Sequence, residues 1–560
     1  MIKKQKFVTS ALLLSSVLLL NACGDSKDKK SSATDENGVT TITLGRQTIQ
    51  NPKLPDGDTY EDNAYTRLVD EKLNVKLESA FEANGDDYDR QLSLAIASGD
   101  LPDMMVVNSR DEVQELVDND LIADLSDVYD EYASDNIKKI YDSYDNLPIE
   151  EASFDEELMA IPGTSLDFGP GIVWLRQDWI DELGLKLDED GNKAITLDEL
   201  KETAKTFQEK DPDQTGKAVG LALNFWLTSP GYGGSTYVSS AMVHSMGAYP
   251  KYYLPDENGQ IYYGSTTPEM KDSLEMFRDW YEEGILDPQF GTRTFDDISA
   301  MVINGETGVV PGPWHLPDWN LFQVKESNPE ADFIPYAIEN ANDDGKINSI
   351  SDKGAGSYIV VSKDFEKPEL AMEIVNLIYD EIANAKELEK DYPDIYAYSK
   401  KAVDGTVRPF NVELGDAGEA IEDSAAIADA IDGKTKIEDL KTFGMQDAAR
   451  TVKDYMDNPE SSTSTDWAKY HSTYLAQGKT VVPTHESGMI NEITPPRFNG
   501  IKASEKYTAQ LNKLEEETFI KYIIGEKSLD DFDNFVEQWK KQGGNEVLKE
   551  TQEAYEQMNK

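Results

Sequence analysis

The feature that most constrains the fold is a regular alternation of short apolar stretches with amphipathic ones between Val39 and Val107. The predicted strands are 39–44, 75–77 and 103–107, and the predicted helices are 63–73 and 88–98. Strands that alternate with helices form βαβ units, in which consecutive strands run parallel. This part of the chain therefore predicts an α/β fold with mixed, mostly parallel sheets.

A second set of elements begins near Gly163 and starts with an apolar strand at 172–175. Asn258-Gly259 between two aromatic runs predicts a β-hairpin, and Thr267-Pro268 predicts the N-terminus of a helix. The chain from Ser504 onward is helical in pattern, and we expect a helix that Ser528 caps to end at Gly543-Gly544. A chain of 560 residues is longer than one compact core usually holds, so we expect two lobes.

The N-terminus carries the pattern of a secreted lipoprotein. Three lysines precede an apolar run from Phe7 to Leu20, which is short for a membrane span. Leu20-Asn21-Ala22-Cys23 then matches a bacterial lipoprotein signal, which predicts removal of residues 1–22 and a lipid on Cys23. Because Cys23 is the only cysteine, an internal disulfide is excluded. Residues 23–38 are polar and predict a flexible tether, so the protein is expected on the outer side of the cell membrane.

The charge of the chain excludes several classes of partner. Removal of residues 1–22 takes away three lysines, which leaves 50 basic residues against 107 acidic ones, a formal net charge of −57. Nucleic acid binding requires the opposite sign. Anionic lipid headgroups would repel the folded body as well, so membrane attachment should depend on the lipid alone. Most of these carboxylates are expected to form a solvated surface.

Six segments resemble the large extracellular solute-binding lipoproteins of ABC importers, the oligosaccharide-binding group that includes alginate receptors. They are 158–162, 173–185, 267–288, 303–308, 357–362 and the closing helices 507–544. The resemblance covers nearly the whole mature chain in consistent order. It implies that a monomeric protein captures an oligosaccharide between two lobes and delivers it to an ABC permease, without catalysis.

The same resemblance implies how the chain is divided. The first lobe is expected to contain residues 39–165 and about 350–400, and the second lobe residues 166–349 and about 401–560. The crossings between lobes are expected near 161–171 and 353–357, where glycines allow the backbone to change direction. A ligand that contacts both lobes would then favour a closed state.

Sugar-binding sites combine aromatic faces with planar polar side chains. Gly- and Pro-rich loops of the second lobe carry the aromatic candidates, and strand ends of the first lobe carry the polar candidates. The aromatic candidates are Trp226, Tyr232, Trp314 and Trp319, and the polar candidates are Arg46, Gln47 and Asn108. Each aromatic candidate could equally cap the core of its own lobe. Four other tryptophans lie on regular apolar patterns and are expected in the core: Trp174, Trp179, Trp280 and Trp539.

Two acidic loops resemble calcium-binding loops without matching them fully, and we therefore expect no cofactor, with Ca²⁺ as the alternative. Residues 188–199 place oxygen-bearing side chains at suitable positions, but Lys193 stands where a calcium loop has glycine. Glu199 is explained equally well by a capping box with Thr196. Residues 211–217 resemble the calcium loop of alginate-type receptors, but Val219 replaces a later acidic ligand.

Catalytic motifs are absent from the sequence. The four histidines lack metal-ligand spacing, and no nucleophile elbow or phosphate-binding loop occurs. Two alternatives nevertheless stay open: a surface glycoside hydrolase, which would need an acid and a base or nucleophile across a cleft, and a peptide-binding receptor on the same fold.

Overall fold

A computed structural model of the protein describes residues 34, 38–49, 51–164, 169–224, 236–342, 344–351, 354–498 and 500–558. The predicted signal peptide, Cys23, Trp226 and Tyr232 lie outside these described residues, as does most of the predicted tether. Within the described part of the chain, no helix is both long and apolar enough to cross a membrane.

The strands, in chain order, are β1 (Thr40–Thr48), β2 (Val75–Asn84), β3 (Met104–Val107), β4 (Ser153–Phe154), β5 (Glu157–Leu158), β6 (Ile161–Pro162), β7 (Ile172–Arg176), β8 (Ala194–Ile195), β9 (Tyr253–Pro255), β10 (Ile261–Tyr263), β11 (Val309–Gly312), β12 (Phe333–Ile338), β13 (Ile347–Ile350), β14 (Tyr358–Val361) and β15 (Ile490–Ile493).

The helices are α1 (Ala64–Leu73), α2 (Gly85–Ser98), α3 (Arg110–Asp118), α4 (Ser126–Tyr132), α5 (Asp135–Asp142), α6 (Leu147–Glu151), α7 (Gln177–Leu183), α8 (Leu197–Lys210), α9 (Ser240–Ser245), α10 (Pro268–Glu282), α11 (Phe295–Ile303), α12 (Phe322–Ser327), α13 (Glu369–Val375), α14 (Leu388–Asp391), α15 (Pro393–Lys400), α16 (Glu419–Ile431), α17 (Phe443–Asp457), α18 (Ser464–Lys469), α19 (Val482–Glu486), α20 (Lys502–Ile523), α21 (Phe532–Trp539) and α22 (Asn545–Met558). Wider π-helical segments continue some of them at Pro317–Leu321, Asn376–Ile382, Tyr470–Val481 and Lys540–Gly544.

The first lobe is built on a five-stranded sheet with the order β2-β1-β3-β14-β6. β1 runs parallel to β2 and β3, as the alternation of strands and helices predicts, whereas β14 runs antiparallel to β3 and β6. Ile42 and Leu44 on β1 are fully buried in a core that α1, α5 and α13 cover. Asn63 caps α1 by accepting hydrogen bonds from the backbone of Tyr65 and Thr66, which fixes its start after the first strand.

The second lobe is built on a sheet with the order β11-β7-β12-β8. β7 pairs antiparallel with both β11 and β12, and in this sheet only the β12–β8 pair is parallel. The two-lobe α/β fold with mixed sheets is confirmed, but this sheet is mostly antiparallel rather than mostly parallel. Trp174 and Trp179, at or just after β7, are buried, as are Trp280 and Trp539, which confirms their predicted place in the core.

The predicted helix break at Gly543-Gly544 separates two C-terminal helices. Gly543 has a φ of 128°, a value that side chains rarely allow, and the chain turns there into α22. A side chain on Gly544 would overlap the ring of Trp539, so the glycine pair permits a kink and a close approach. The sequence pattern correctly predicted the end of this helix at Gly543-Gly544, and a further helix follows it.

Three stretches of chain pass between the two cores. The first two lie between β6 and β7 and between β13 and β14. The third follows residue 412, because Val407, Phe410 and Val412 are buried in the first core. The lobe boundary at about residue 400 stays a prediction. Near the second crossing, the buried Glu151 accepts a hydrogen bond from the backbone of Ala355 at 2.7 Å and pairs with Arg497 at 3.4 Å.

Candidate functional site

The polar candidates of the first lobe lie at one edge of its sheet. Gly45 of β1 is level with Met105 of β3, and both strands run in the same direction. Arg46 and Gln47 therefore end β1 at the edge where Asn108 follows β3. This is the carboxyl edge of the parallel strands, where open α/β sheets bind their ligands. Asn108 is exposed, and Gln47 is half-buried.

Arg46 is a buried cation without a partner. Alternate residues of β1 face the core, and Arg46 continues the inward series of Ile42 and Leu44, so only 3% of it is exposed. None of its three guanidinium nitrogens has a hydrogen-bond partner within the described residues. Burial lowers the pKa of Arg46 to about 10, despite the opposing charges of Glu82 and Glu61.

The two carboxylates that act on Arg46 are bound elsewhere. Glu82 accepts a hydrogen bond from the Ser79 hydroxyl at 2.7 Å, and Glu61 accepts one from the Ser79 backbone N–H at 2.6 Å. Both therefore hold strand β2, and neither forms an ion pair with Arg46.

A small recess surrounds Arg46, and we call it the Arg46 recess. It is lined by Gly45, Arg46, Gln47, Tyr88, Val106, Thr406, Arg408, Pro409 and Asn411. Its free volume of about 10 Å³ holds one water-sized group. Asn411 donates a hydrogen bond to the side-chain oxygen of Gln47 at 3.3 Å, which joins the 404–411 loop to the end of β1.

Sequence reasoning missed the 404–411 loop as part of this site. Its residues carry no motif, and it lies more than 350 positions after β1 in sequence. The signal that did exist is the charged residue at an inward position of β1, where Thr40, Ile42 and Leu44 set the pattern.

The aromatic candidates of the second lobe that the structure describes are Trp314 and Trp319. Both are half-buried and pack against the core that includes Trp174 and Leu316. Trp319 donates a hydrogen bond from Nε1 to Nδ1 of His315 at 3.1 Å and stacks on Phe295. Each tryptophan therefore caps its own core and also keeps part of its surface accessible.

One contact links the two groups of candidates. Lys53, on the loop that follows β1, lies with its ammonium 5.8 Å from the ring centre of Phe322. Phe322 directly follows the Pro317–Leu321 segment that carries Trp319. A cation within about 6 Å of an aromatic face is attracted to it. The loop after β1 thus meets the residue next to the segment of the other lobe that carries Trp319.

The two acidic loops use their carboxylates within the chain. Asp188 accepts hydrogen bonds from the backbone and the ammonium of Lys193, and Glu199 accepts hydrogen bonds from the backbone and the hydroxyl of Thr196. Asp211 accepts hydrogen bonds from the backbone N–H groups of residues 215 and 216. Asp213 binds Arg176 at 2.9 Å. Among the described residues, no group of three or more histidine or acidic side chains is arranged to hold a metal ion.

Comparisons with known proteins agree with this architecture. A profile of the family described as bacterial extracellular solute-binding protein matches residues 64–406, which is more than half of the chain. The lipoprotein LipO of Bacillus subtilis (strain 168) is 24% identical over 84% of each chain. A polygalacturonan/rhamnogalacturonan-binding protein of the same organism, YtcQ, is 23% identical over 87% of each chain.

Solved structures are similar to the fold along nearly the whole chain. The alginate-binding protein AlgQ2, solved without calcium ion, has a TM-score of 0.59 and 18% identity, with 94% of this chain and 100% of that chain covered. The binding protein FusA of S. pneumoniae, solved with kestose, has a TM-score of 0.60 and 16% identity, with 93% and 99% covered. These similarities show the two-lobe fold, and the profile match shows the family: the chain belongs to the bacterial extracellular solute-binding proteins.

Proposed function

We propose that this protein captures an oligosaccharide between its lobes and delivers it to an ABC permease, without altering the sugar. The observation that supports the proposal is the contact of Lys53 with Phe322, which joins the loop after β1 in the first lobe to the residue next to the Trp319 segment of the second. Sugar recognition requires this combination, because ring C–H faces stack on aromatic side chains while hydroxyl groups bind polar ones.

The ligands of similar proteins support the same class of ligand. One relative is named for binding polygalacturonan and rhamnogalacturonan. One structural neighbour is named for alginate, and another was solved with kestose. All of these ligands are carbohydrates, whereas their charges differ.

The ligand site has one part in each lobe. In the first lobe Arg46, Gln47 and Asn108 would bind polar groups of the sugar, and in the second lobe Trp314 and Trp319 would stack on its rings. Trp226 and Tyr232 belong to the same proposal and lie outside the described residues. A sugar that bridges both parts stabilises the closed arrangement, because only that arrangement makes all the contacts together.

The location follows from the N-terminal sequence. Signal cleavage before Cys23 and lipidation of its sulfur would anchor the protein to the outer face of the cell membrane. Two acyl chains are needed for stable anchoring, and the negative charge of the body adds no attraction to the membrane. A monomer on a flexible tether of residues 23–38 could then reach its permease.

A thermal-shift panel of oligosaccharides and peptides tests the proposal. We expect at least one oligosaccharide to raise the melting temperature in a concentration-dependent manner, since a ligand that binds only the folded state stabilises it. Stabilisation by peptides alone would contradict the proposal and favour the peptide receptor. Chromatography of the recovered sugar checks that the protein leaves the sugar unaltered, because shorter products would identify the protein as a glycoside hydrolase.

A further inference from the structure

Two arginines at strand ends are buried, and they differ in their hydrogen-bond partners. Arg176 at the end of β7 is 1% exposed and binds Asp178 at 2.8 Å and Asp213 at 2.9 Å. Arg46 near the end of β1 is 3% exposed and has no hydrogen-bond partner among the described residues. Within the described ranges, carboxylates thus pair with the arginine of the second lobe, and none pairs with that of the first.

An unpartnered guanidinium in a buried place is costly to the folded protein. Arginine carries five N–H donors in a fixed planar fork and stays charged at neutral pH. Buried charges in folded proteins are ordinarily paired, and buried donors are ordinarily bonded. Arg46 meets neither condition. Its described surroundings lack a hydrogen-bond acceptor, and a ligand could provide one.

The surroundings of Arg46 also limit what that acceptor can be. Three other polar groups of the Arg46 recess are already engaged: the Thr406 hydroxyl donates to Asp404 at 2.6 Å, the Tyr88 hydroxyl donates to the Val106 carbonyl, and the Gln47 oxygen accepts from Asn411. A second cation, Arg408, also lines the recess and adds no acceptor for Arg46. The recess accommodates one water-sized group, which is the size of a carboxylate oxygen and far less than a sugar ring. It therefore fits a substituent of a ligand whose rings lie outside, toward the interlobe region.

We propose that Arg46 binds the carboxylate of an acidic sugar residue, so that the oligosaccharide this protein captures is anionic. This inference rests on the proposed function, because it assigns one group of that ligand to one residue. The planar carboxylate matches the guanidinium fork and forms charge-assisted hydrogen bonds, which are roughly twice as strong as neutral ones.

The overall charge makes such a residue necessary for an acidic ligand. A body with a formal charge of −57 repels anions at long range, and salt screens that repulsion beyond about 8–10 Å. Inside the Arg46 recess the guanidinium acts at short range and is little screened. A hydroxyl of a neutral sugar could also accept a hydrogen bond from Arg46, but without the charge of a carboxylate, so Arg46 favours acidic over neutral sugars.

Paired acid and ester ligands test the assignment directly by isothermal titration calorimetry. The probes are trisaccharides of galacturonate, mannuronate and glucuronate, each compared with its own methyl ester, which keeps the shape and removes the charge. We expect at least one acid to bind at least tenfold more tightly than its ester. In Arg46→Gln this preference should be lost, and in Arg46→Lys, which keeps the charge but not the fork, it should be intermediate.

Arg90→Gln is the matched control, because it removes one positive charge from an exposed helix position of the same lobe. It should keep the full preference for acid over ester. Circular dichroism of each variant checks that it is folded.

The possible results separate the two proposals. If none of the acids binds more tightly than its ester, or if Arg46→Gln keeps the preference, the carboxylate assignment is overturned. Binding of neutral oligosaccharides without any acid preference would overturn only that assignment and leave the proposed function in place. Absence of binding to every acidic and neutral oligosaccharide in the panel would overturn both.

Discussion

Arg46 should be a residue whose removal stabilises the ligand-free protein. Burial lowers its pKa to about 10, and each pKa unit corresponds to about 1.4 kcal/mol, so the charged guanidinium costs the folded state about 3 kcal/mol. Because the unfolded chain binds this proton more tightly, the cost disappears only as the pH rises above about 10 and is fully present at pH 7. We therefore expect Arg46→Met, which is similar in length and uncharged, to raise the free energy of unfolding by about 1–3 kcal/mol.

Arg176→Met is the control, because it removes a buried arginine that is paired with carboxylates. Arg176 is equally buried, but its removal leaves Asp178 and Asp213 without their cation. Both carboxylates are 25% exposed, so we expect a loss of about 2–3 kcal/mol, below the range for fully buried pairs. Substitution of arginine by methionine should thus raise the free energy of unfolding at position 46 and lower it at position 176.

Urea unfolding at pH 7 without sugar measures both variants against the unmodified protein. In thermal unfolding under the same conditions, the melting temperature of Arg46→Met should rise by roughly 2–12 °C, given roughly 2–4 °C per kcal/mol for a lobe-sized domain. If Arg46→Met is instead destabilised as much as Arg176→Met, then Arg46 is satisfied within the ligand-free protein. The argument for its role in binding would then be refuted.

Four further predictions concern the buried Glu515, the candidate site, the predicted lipidation of Cys23 and lobe closure. Burial raises the pKa of Glu515 to about 7, so the folded state holds a proton that the unfolded state releases, and the free energy of unfolding should fall by about 3 kcal/mol between roughly pH 4.5 and 7. Glu515→Gln should reduce the dependence of the melting temperature on pH across that range, and an unchanged dependence would contradict this. Trp314→Ala should weaken binding of a cognate oligosaccharide by roughly 1–3 kcal/mol in calorimetry, and normal affinity would mean that Trp314 only caps the core. Cys23→Ala should abolish labelling by a fatty-acid analogue, and a variant that is still labelled would disprove lipidation at this residue. A cognate sugar should reduce the radius of gyration in small-angle scattering, and tight binding at constant radius would argue against closure.

Local signals predicted much of the fold because the interactions they describe are themselves local. Thr196 and Glu199 form the predicted capping box, and Asn258-Gly259 joins the predicted hairpin strands. Trp179 and Trp280 are buried because their apolar spacing places them on the inner faces of helices.

The candidate site was predictable only in part, since it is assembled from distant segments. The strand-end rule located Arg46 and Gln47, but no local pattern indicated that Asn411 would reach Gln47 across more than 350 positions of sequence. Likewise, the contact between Lys53 and Phe322 depends on how the lobes face each other, which neither residue's neighbours in sequence encode.

The place of β14 in the first sheet has a consequence for the order in which the protein can be made. Its residues Tyr358–Val361 lie between β3 and β6, pairing Val361 with Met104 and Tyr358 with Pro162. In a chain that leaves the cell N-terminus first, the first lobe cannot complete its sheet until residue 361 has emerged, and its core also needs Val412. Contacts of such long sequence separation form slowly. The first lobe therefore completes its sheet only after all four strands of the second lobe's sheet, which end at Ile338, have been exported.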